Sequence, residues 1–406
     1  MTVTSSREPQ WPPVPTETLP WERDADELRA LSRTRRRRVA PTYEAAVPLA
    51  IAGRDVGLPR DLAVYVEEVT RALVRYDAER TTRTYDLPAL LLRSESASSS
   101  QIENLTSSVR NVALAEVCDD VPTNARIVAG NVAAMRRALD VHLDEDLSVE
   151  TICDVHRALM DPSGTGGGGQ LREEQVWVGG DGYSPHGARF VPPRHERVAA
   201  CLDDLVAYAA RDDVSPVVQA AVFHAQLETI HPFVDGNGRC GRTLLHSLLR
   251  RSGVLRNTTL PVSAGLLHDV DGYLASLDAY HAGDPVAVVE QVTGALELSV
   301  AIGRRMEAEL QAVLDGWEAS LTGRSDAAVR RLPALLVEHP VVTTALVAER
   351  LGVSERAASA ALSRACELGM VERSGNRRRG TFYQAGALLD VLERASSAEG
   401  IRRLMA

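Results

Sequence analysis

The residues best suited to chemistry lie between positions 229 and 245, in the segment Thr-Ile-His-Pro-Phe-Val-Asp-Gly-Asn-Gly-Arg-Cys-Gly-Arg-Thr-Leu-Leu. His231 has a side chain whose near-neutral pKa suits removal of a proton from a hydroxyl group. Asp235 offers a hard oxygen ligand of the kind that Mg²⁺ prefers beside substrate phosphates. Arg239 and Arg242 are three residues apart, hence on one face of a following helix, where both can bind phosphate oxygens. This set indicates phosphate-transfer chemistry.

The backbone of the same segment predicts an anion-binding loop. Pro232 ends a helix that is rich in Ala and Val, and a second helix is expected to begin near Gly238. Glycines allow backbone N–H groups to converge, and the N-terminus of a helix favours negative charge. A helix cap at His231 and surface ion pairs at the arginines would explain each residue singly, but they would not explain the whole set.

The flanking segments have mainly helical patterns, which must position this loop. Apolar residues recur at helical spacing from Leu62 to Asp77, and the run of glycines at 164–169 cannot form a stable helix. Two short β-like pieces, 176–178 and 189–191, flank a glycine turn and predict a hairpin. Further helices are predicted over 109–159, 194–210, 216–230 and 296–321.

The segment from His231 to Arg242 resembles the His-Pro-Phe-x-Asp-Gly-Asn-Gly-Arg-x-x-Arg signature of Fic-domain proteins, with every position filled. The resemblance implies an all-α core in which His231 deprotonates a target hydroxyl, which then attacks the α-phosphorus of ATP. It also implies that Asp235 holds Mg²⁺. The residues that it predicts to bind the nucleotide in the loop are Asp235, Gly236, Asn237, Gly238, Arg239, Cys240, Gly241 and Arg242. Relatives resembling the Doc toxins have Lys at position 238 and act as kinases, so Gly238 favours AMP transfer.

An inhibitory segment is also implied by the resemblance. Ser99, Glu103 and Asn104 are similar to the Ser/Thr-x-x-x-Glu-Gly/Asn motif of the family, here on the N-terminal side of the core. Glu103 is expected to pair with Arg242 and to block productive placement of the γ-phosphate, since a carboxylate can satisfy a guanidinium group.

Two further matches concern the rim of the site. The hairpin from Val176 to Phe190 is similar to the flap of the family, which would place Val178 and Gly179 near the nucleotide and align target backbone by strand addition. Tyr273 lies in a segment similar to one that supplies an aromatic contact near adenine. A buried core position for Tyr273 is an equally open alternative.

The C-terminal residues resemble a winged helix-turn-helix. A helix from Thr344, a turn at Gly352 and a helix starting after Ser354 precede a hairpin with Arg377, Arg378 and Arg379 at its tip. These three arginines and Arg356 are candidate DNA contacts. A packing or dimerisation role is the open alternative, because fold does not establish DNA binding.

Overall composition limits the function classes. The 406 residues carry a net charge of −10, contain no Lys, and include five scattered Cys. The acidic balance argues against coating nucleic acid through bulk charge, and the Cys spacing predicts neither a metal site nor a disulfide framework. Without an apolar run or leader, we expect a cytoplasmic protein that binds no membrane; whether it is a homodimer stays open.

Four regions are predicted: an N-terminal helical region (1–93), the Fic core (94–299), a linker helix (300–326) and the winged unit (327–406). The fold is therefore expected to be all-α with a short β-hairpin flap, followed by a small α+β domain. The predicted function is transfer of AMP from ATP to Ser, Thr or Tyr of a protein target, with itself as one candidate. The alternatives are a nucleotide-sensing DNA-binding regulator, and removal of AMP or transfer of another phosphate group at the same site.

Overall fold

The structure is a computed structural model that describes residues 10–21, 40–79, 87–118, 120–141, 147–161, 166–180, 184–321, 328–376 and 380–405. Helices predominate. They are α1 (Arg60–Ala78), α2 (Leu87–Ile102), α3 (Val109–Ala115), α4 (Thr123–Val141), α5 (Val149–Met160), α6 (Val198–Ala209), α7 (Pro216–Ile230), α8 (Asn237–Arg251), α9 (Val262–His268), α10 (Val270–His281), α11 (Pro285–Ser320), α12 (Leu332–Glu338), α13 (Thr344–Leu351), α14 (Glu355–Glu367), α15 (Gly386–Ala395) and α16 (Ala398–Met405). The strands are β1 (Thr16–Pro20), β2 (Thr42–Ala46), β3 (Val341–Val342), β4 (Glu372–Asn376) and β5 (Gly380–Gln384).

Helix α7 is the centre of a first hydrophobic core. It is apolar on nearly every side, so its stable place is inside the protein, where it packs against α6, α8 and α11. The predicted start at Pro216 and end at Ile230 are both confirmed. Helix α1 adds the apolar face that its sequence predicts, with Leu62, Val66 and Leu73 buried in the same core. The loop that follows α7 is therefore anchored to a rigid support.

A second hydrophobic core joins α2, α3 and α4 to the C-terminal residues 328–405. Helix α2 packs against α4 and α9 on one side and against α12 and α15 on the other. In the C-terminal residues a helix, a short strand, two helices and a hairpin follow one another, and the sheet has the strand order β3-β5-β4.

Helix α11 connects the two cores and corrects two predicted boundaries. It begins at Pro285, which its N-cap Asp284 precedes, and it continues without a break past position 299. Its side chains change core between Val300 and Ile302, so the boundary is a change of packing partner within one helix. The predicted boundary at 93 likewise lies inside a helix, because α2 runs from Leu87 to Ile102.

Among the described residues, α11 is long and apolar enough to pass a length-and-composition test for a membrane span. Most of its apolar stretch is buried in the two cores, which is the usual reason that a core helix passes this test.

The N-terminal region contains strands that the sequence analysis did not predict. β1 and β2 pair antiparallel with Thr16 opposite Ala46, and the residues of β1 alternate between exposed and partly buried. The prediction of a helical region over 1–93 is therefore wrong for these strands. The sequence signal for these strands is weak, because each strand has only five residues. β1 also ends at a proline, a residue confined to strand ends and edges.

Candidate active site

His231 is the residue at which α7 ends. Its backbone is left-handed, with φ 50° and ψ 62°, and its N–H donates to Leu227 O at 2.8 Å. The ring Nδ1 lies 3.3 Å from the carbonyl oxygen of Glu228, which can only accept a hydrogen bond. This contact assigns the ring proton to Nδ1 and leaves the lone pair of Nε2 free to act as a base.

The electrostatics around His231 keep its ring neutral. Burial lowers the pKa of His231 to about 4, and the hydrogen bond to the Glu228 carbonyl opposes that shift. The Glu228 carboxylate is 3.9 Å from Nδ1. Burial, with a contribution from the nearby Glu103, raises the pKa of Glu228 to about 7. His231 is thus available as a general base at neutral pH.

The N-terminus of α8 presents free backbone amides. Gly236 caps this helix at φ 80°, and the first helical hydrogen bond runs from Cys240 N to Gly236 O at 2.9 Å. The N–H groups of residues 237–239 precede that bond and have no acceptor within the helix. These amides and the helix dipole favour an anion at this position, as the sequence predicts.

Asn237 has a different role from the predicted one. Its side chain accepts from Phe233 N at 2.9 Å and donates to Phe233 O at 2.9 Å. Both polar atoms are thereby used in bracing the loop from Phe233 to Asn237, and the side chain is buried. Its backbone N–H lies in the first turn of α8, where an anion is expected to bind.

Cys240 and Gly241 also require a correction. The Cys240 side chain is fully buried, and its N–H is used by the helix. At Gly241 a Cβ atom would lie 3.0 Å from His224 Nδ1 and 3.1 Å from Glu228 Oε1, so this glycine permits close packing of α8 on α7. Neither residue offers a free group to a nucleotide, because both lie beyond the open first turn of the helix.

Asp235 and Arg239 form the outer side of the loop. The Asp235 carboxylate is 73% exposed and accepts from Gly236 N at 2.7 Å, while its Oδ2 lies 3.2 Å from Arg239 Nη2. It borders a cavity of about 940 Å³ that His156, Met160 and Arg172 also line. No group of three or more His, Cys, Asp or Glu side chains suited to a metal occurs in the described part of the chain. An accessible single carboxylate does fit Mg²⁺ of the type that takes most of its ligands from water and substrate phosphates.

Arg242 is buried, and α2 supplies its acceptors. Its Nε donates to Ser99 Oγ at 2.9 Å, and its Nη2 donates to Ser99 O at 2.8 Å and to Glu103 Oε1 at 3.0 Å. The side chain of Arg242 is 2% exposed and that of Glu103 is 39% exposed. The structure thus brings together the two residues whose pairing the sequence predicts.

Gly238 is the position that makes this approach possible. A Cβ atom at Gly238 would lie 1.9 Å from Glu103 Oε1 and 2.9 Å from Arg242 Nη1. Any side chain here would force the Glu103 carboxylate to move. Glycine at 238 therefore leaves the space that the ion pair between Glu103 and Arg242 occupies.

The turn after α2 explains the residue type at Asn104. This residue has a positive φ of 59°. The N–H of Leu105 donates to Ser100 O, and the N–H of Asn104 donates to Gln101 O, which is the Schellman pattern. Asn and Gly are the residues that tolerate a positive φ best, which explains why the motif has one of them here. The turn holds Glu103 directly after the end of α2.

Comparison with known proteins agrees with this geometry. Residues 146–249 match the model of the Fic/DOC family. The matched residues contain the whole loop from His231 to Arg242. The chain is similar to protein adenylyltransferase fic-1 of Caenorhabditis elegans, with 31% identity over 159 residues, 38% of this chain and 28% of the relative. It is also similar to protein adenylyltransferase Fic of Drosophila melanogaster, with 34% identity over 111 residues, 27% of this chain and 21% of the relative.

The chain spans about a third or less of the length of these curated relatives. Among solved structures it is similar to a Fic family protein from Desulfovibrio desulfuricans G20, with a TM-score of 0.54 and 22% identity, over 81% of this chain and 97% of that one. At this identity the likeness supports the fold alone.

The predicted flap of the Fic domain is reduced to one antiparallel bridge between Val178 and Phe190. Gly179, at φ 74°, follows the bridge, and residues 181–183 of the predicted turn lie outside the described residues. Phe190 stacks on His281 with ring centroids 4.1 Å apart, and Arg189 forms an ion pair with Asp278. The base of the flap is therefore attached to α10.

Tyr273 is a core residue, which was the alternative left open. It is 2% exposed, and its hydroxyl lies 2.8 Å from His224 Nε2. Its ring does not face an open site, so the predicted adenine contact is not supported by its placement. The polar hydroxyl of this tyrosine needs a buried partner, and His224 provides it.

Two residues that hold the loop were not selected as site residues from the sequence. His156 stacks face to face on Phe233 at 3.6 Å, and its Nε2 lies 2.8 Å from Asp235 O. Because Gly169 N donates to Nδ1 of His156, the ring proton is on Nε2 and is donated to the loop. The second residue, Arg172, donates to the carbonyl oxygen of His231 at 2.8 Å. Neither has a local pattern that signals this role.

The candidate DNA contacts lie far from this loop in the sequence. Arg356 is exposed near the start of α14. Arg377, Arg378 and Arg379 lie outside the described residues, so the prediction for them stays a prediction.

We predict that Asn237→Ala lowers the free energy of unfolding by about 2–4 kcal/mol, since it leaves a buried N–H and a buried C=O of Phe233 without partners. Urea unfolding followed by circular dichroism measures this. The matched control is Asn124→Ala, which removes one exposed hydrogen bond to Thr106 O and should cost less than about 0.5 kcal/mol. Equal effects of the two substitutions would contradict the bracing role.

Proposed function

We propose that this chain transfers AMP from ATP to a hydroxyl side chain of a protein. The observation that carries the proposal is the geometry at the junction of α7 and α8. The free Nε2 of His231 and the unpaired amides of residues 237–239 come from the two ends of one short loop. The names of the relatives, protein adenylyltransferases, support the same chemistry.

In the proposed step, Nε2 of His231 takes the proton of the target hydroxyl as its oxygen attacks the α-phosphorus of ATP. The bond from the α-phosphorus to the bridging oxygen breaks, pyrophosphate leaves, and the products are an AMP ester and a proton held by His231. The amides at the start of α8 and Arg239 stabilise the negative charge of the phosphates. Asp235 would hold Mg²⁺, which supplies further charge neutralisation when bound.

We propose in addition that Glu103 restrains this activity. While it pairs with Arg242, that guanidinium cannot bind the γ-phosphate, and the negative charge of Glu103 opposes a phosphate in the same place. The exposure of Glu103 supports a carboxylate that can leave, while the burial of Arg242 favours replacement of Glu103 by another anion.

For the C-terminal residues we propose a winged-helix unit, on the basis of the order of its elements and of the three-stranded sheet. DNA binding through the exposed start of α14 is a second candidate function, favoured by the outward position of Arg356. In that case the Fic domain would serve as a nucleotide sensor.

Intact mass after incubation with ATP and Mg²⁺ tests the main proposal. We expect one or more AMP equivalents on Glu103→Gly, fewer on Glu103→Gln, in which the amide oxygen still accepts from Arg242, and none on Glu103→Gly/His231→Ala. The absence of an adduct in every variant, with added cell lysate as a source of targets and with ATP binding intact, would favour the sensor. Release of AMP from a modified target by the wild type alone would favour AMP removal.

The pH dependence of AMP transfer tests the protonation state of His231. With a pKa of about 4, the ring of His231 is neutral above about pH 5, so the rate of Glu103→Gly should show no acid limb that reports protonation of His231 between there and pH 8. The initial rate of adduct formation measures this. An acid limb centred near 6.5, the ordinary value of a histidine, would show that the ring is solvated in the working enzyme.

A further inference from the structure

We propose that Arg172 is a positioning residue for His231 and holds its backbone in the conformation needed for proton transfer. This inference rests on the proposed function. Arg172 is 3% exposed, and all of its acceptors in the described part of the chain are backbone carbonyl oxygens. A buried guanidinium group without a carboxylate is costly, so its placement must be compensated by these hydrogen bonds.

The acceptors of Arg172 are concentrated on the end of α7. Its Nε donates to His231 O at 2.8 Å, its Nη2 to Ile230 O at 3.4 Å, and its own N–H to Pro232 O at 3.0 Å. Three successive carbonyl groups around the base are thus held by one residue. The remaining donors bind the carbonyl oxygens of Glu174 and Pro193, on either side of the flap.

His231 needs this support because its backbone is in the left-handed region, with φ 50°. A non-glycine residue in that region costs about 1–3 kcal/mol and persists only where its surroundings enforce it. Relaxation of His231 would also separate Nδ1 from Glu228 O, the contact that assigns the ring proton. Arg172 therefore acts on the base through the backbone.

The test uses Arg172→Met, Arg172→Lys and the control Arg211→Met in the Glu103→Gly background. Arg211 also donates to a backbone carbonyl, that of Arg54, but its other partners are Asp55 and Asp213, away from the loop. We expect Arg172→Met to lower the rate of AMP transfer about 100-fold, with Arg172→Lys intermediate and Arg211→Met unchanged. The affinity for ATP should change less than about threefold, since the amides of 237–239 lie beyond Pro232.

A readout that is independent of activity separates this proposal from the proposed function. The ¹⁵N chemical shifts of the His231 ring report which nitrogen is protonated. They should show a single Nδ1–H form in the wild type and a mixture in Arg172→Met. Unchanged ring shifts in a folded Arg172→Met, or in Arg172→Lys if Arg172→Met does not fold, would overturn the proposal even if no AMP transfer is found.

A second, independent observation concerns α2, the helix that ends at Ile102, directly before Glu103. It carries five serines, Ser94, Ser96, Ser98, Ser99 and Ser100, all of them buried. Serine is a weak helix former, so this helix depends on the surfaces on both sides of it. On the side of α4 and α9, Ser96 donates to Val128 O at 3.2 Å and Glu95 accepts from Ser263 N at 2.7 Å.

The opposite side of α2 is held by the C-terminal residues 328–405. Arg93 Nη2 donates to Glu338 O at 2.5 Å, Ser396 Oγ donates to Ser94 Oγ at 3.1 Å, and Gln101 Nε2 donates to Ser396 O at 2.5 Å. Gln101 is only two residues before Glu103. From these contacts we infer that the C-terminal unit sets the position of Glu103 and so controls its release from Arg242.

The variant Gln101→Ala/Ser396→Ala removes two of these contacts and leaves Arg242 and Glu103 unchanged. We expect faster hydrogen exchange of the amides of residues 99–105 without ATP, and AMP transfer that rises by up to about 30-fold, the scale of two hydrogen bonds. The control Gln311→Ala/Ser397→Ala alters a glutamine bonded to Asp315 and a serine that accepts from Gly400 N, and should change neither quantity.

The same pair of substitutions in Glu103→Gly decides whether the effect passes through Glu103. No further gain in AMP transfer is expected there, because the restraint has already been removed. If the amides of residues 99–105 exchange in Gln101→Ala/Ser396→Ala as slowly as in the wild type, the inference is overturned. An equal gain in AMP transfer with and without Glu103 would also overturn it. The exchange measurement needs no enzymatic activity, so it is decided separately from the proposed function.

Discussion

The buried guanidinium group of Arg242 is the constraint on which the arrangement of this protein depends. A charge that is 2% exposed cannot rely on water, so acceptors must be supplied by the protein or by a ligand. Ser99 provides two of them and Glu103 provides the third and the negative charge. Because Ser99 lies in the last turn of α2 and Glu103 follows that helix directly, the buried guanidinium group ties the end of α2 to α8.

The loop between α7 and α8 is likewise stabilised by side chains that bind its backbone N–H and C=O groups. The chain must reverse between two buried helices, α7 and α8, within six residues, and it does so through left-handed turns at His231 and Gly236. Carbonyl groups that α7 leaves unpaired are taken up by Arg172, and Asn237 and His156 bind the groups in the middle of the loop. Among the described residues, these contacts leave Nε2 of His231 and the first amides of α8 for the proposed proton transfer and phosphate binding.

The site also lies where the two hydrophobic cores meet. His231 and the loop after it belong to the core around α7, whereas α2, which precedes Glu103, belongs to the core that the C-terminal unit shares. A shift between the cores would therefore act first on the pair of Arg242 and Glu103. This placement gives a physical route by which an event on the exposed side of the C-terminal unit can reach the nucleotide site, in keeping with the second inference above.

The sequence by itself determined the local elements of this protein: the limits of α7, the loop between Pro232 and Gly236, and, through the motif, the pairing of Glu103 with Arg242. These follow from short spacings, where periodicity and residue type are informative. Only the tertiary structure decided that Asn237 braces the loop and that Tyr273 is a core residue. It also decided that Arg172 binds the carbonyl group of His231, 59 residues away, and that Gln101 binds Ser396, 295 residues away. The reason is that a hydrogen bond between distant segments depends on packing, which leaves no periodic trace in either segment.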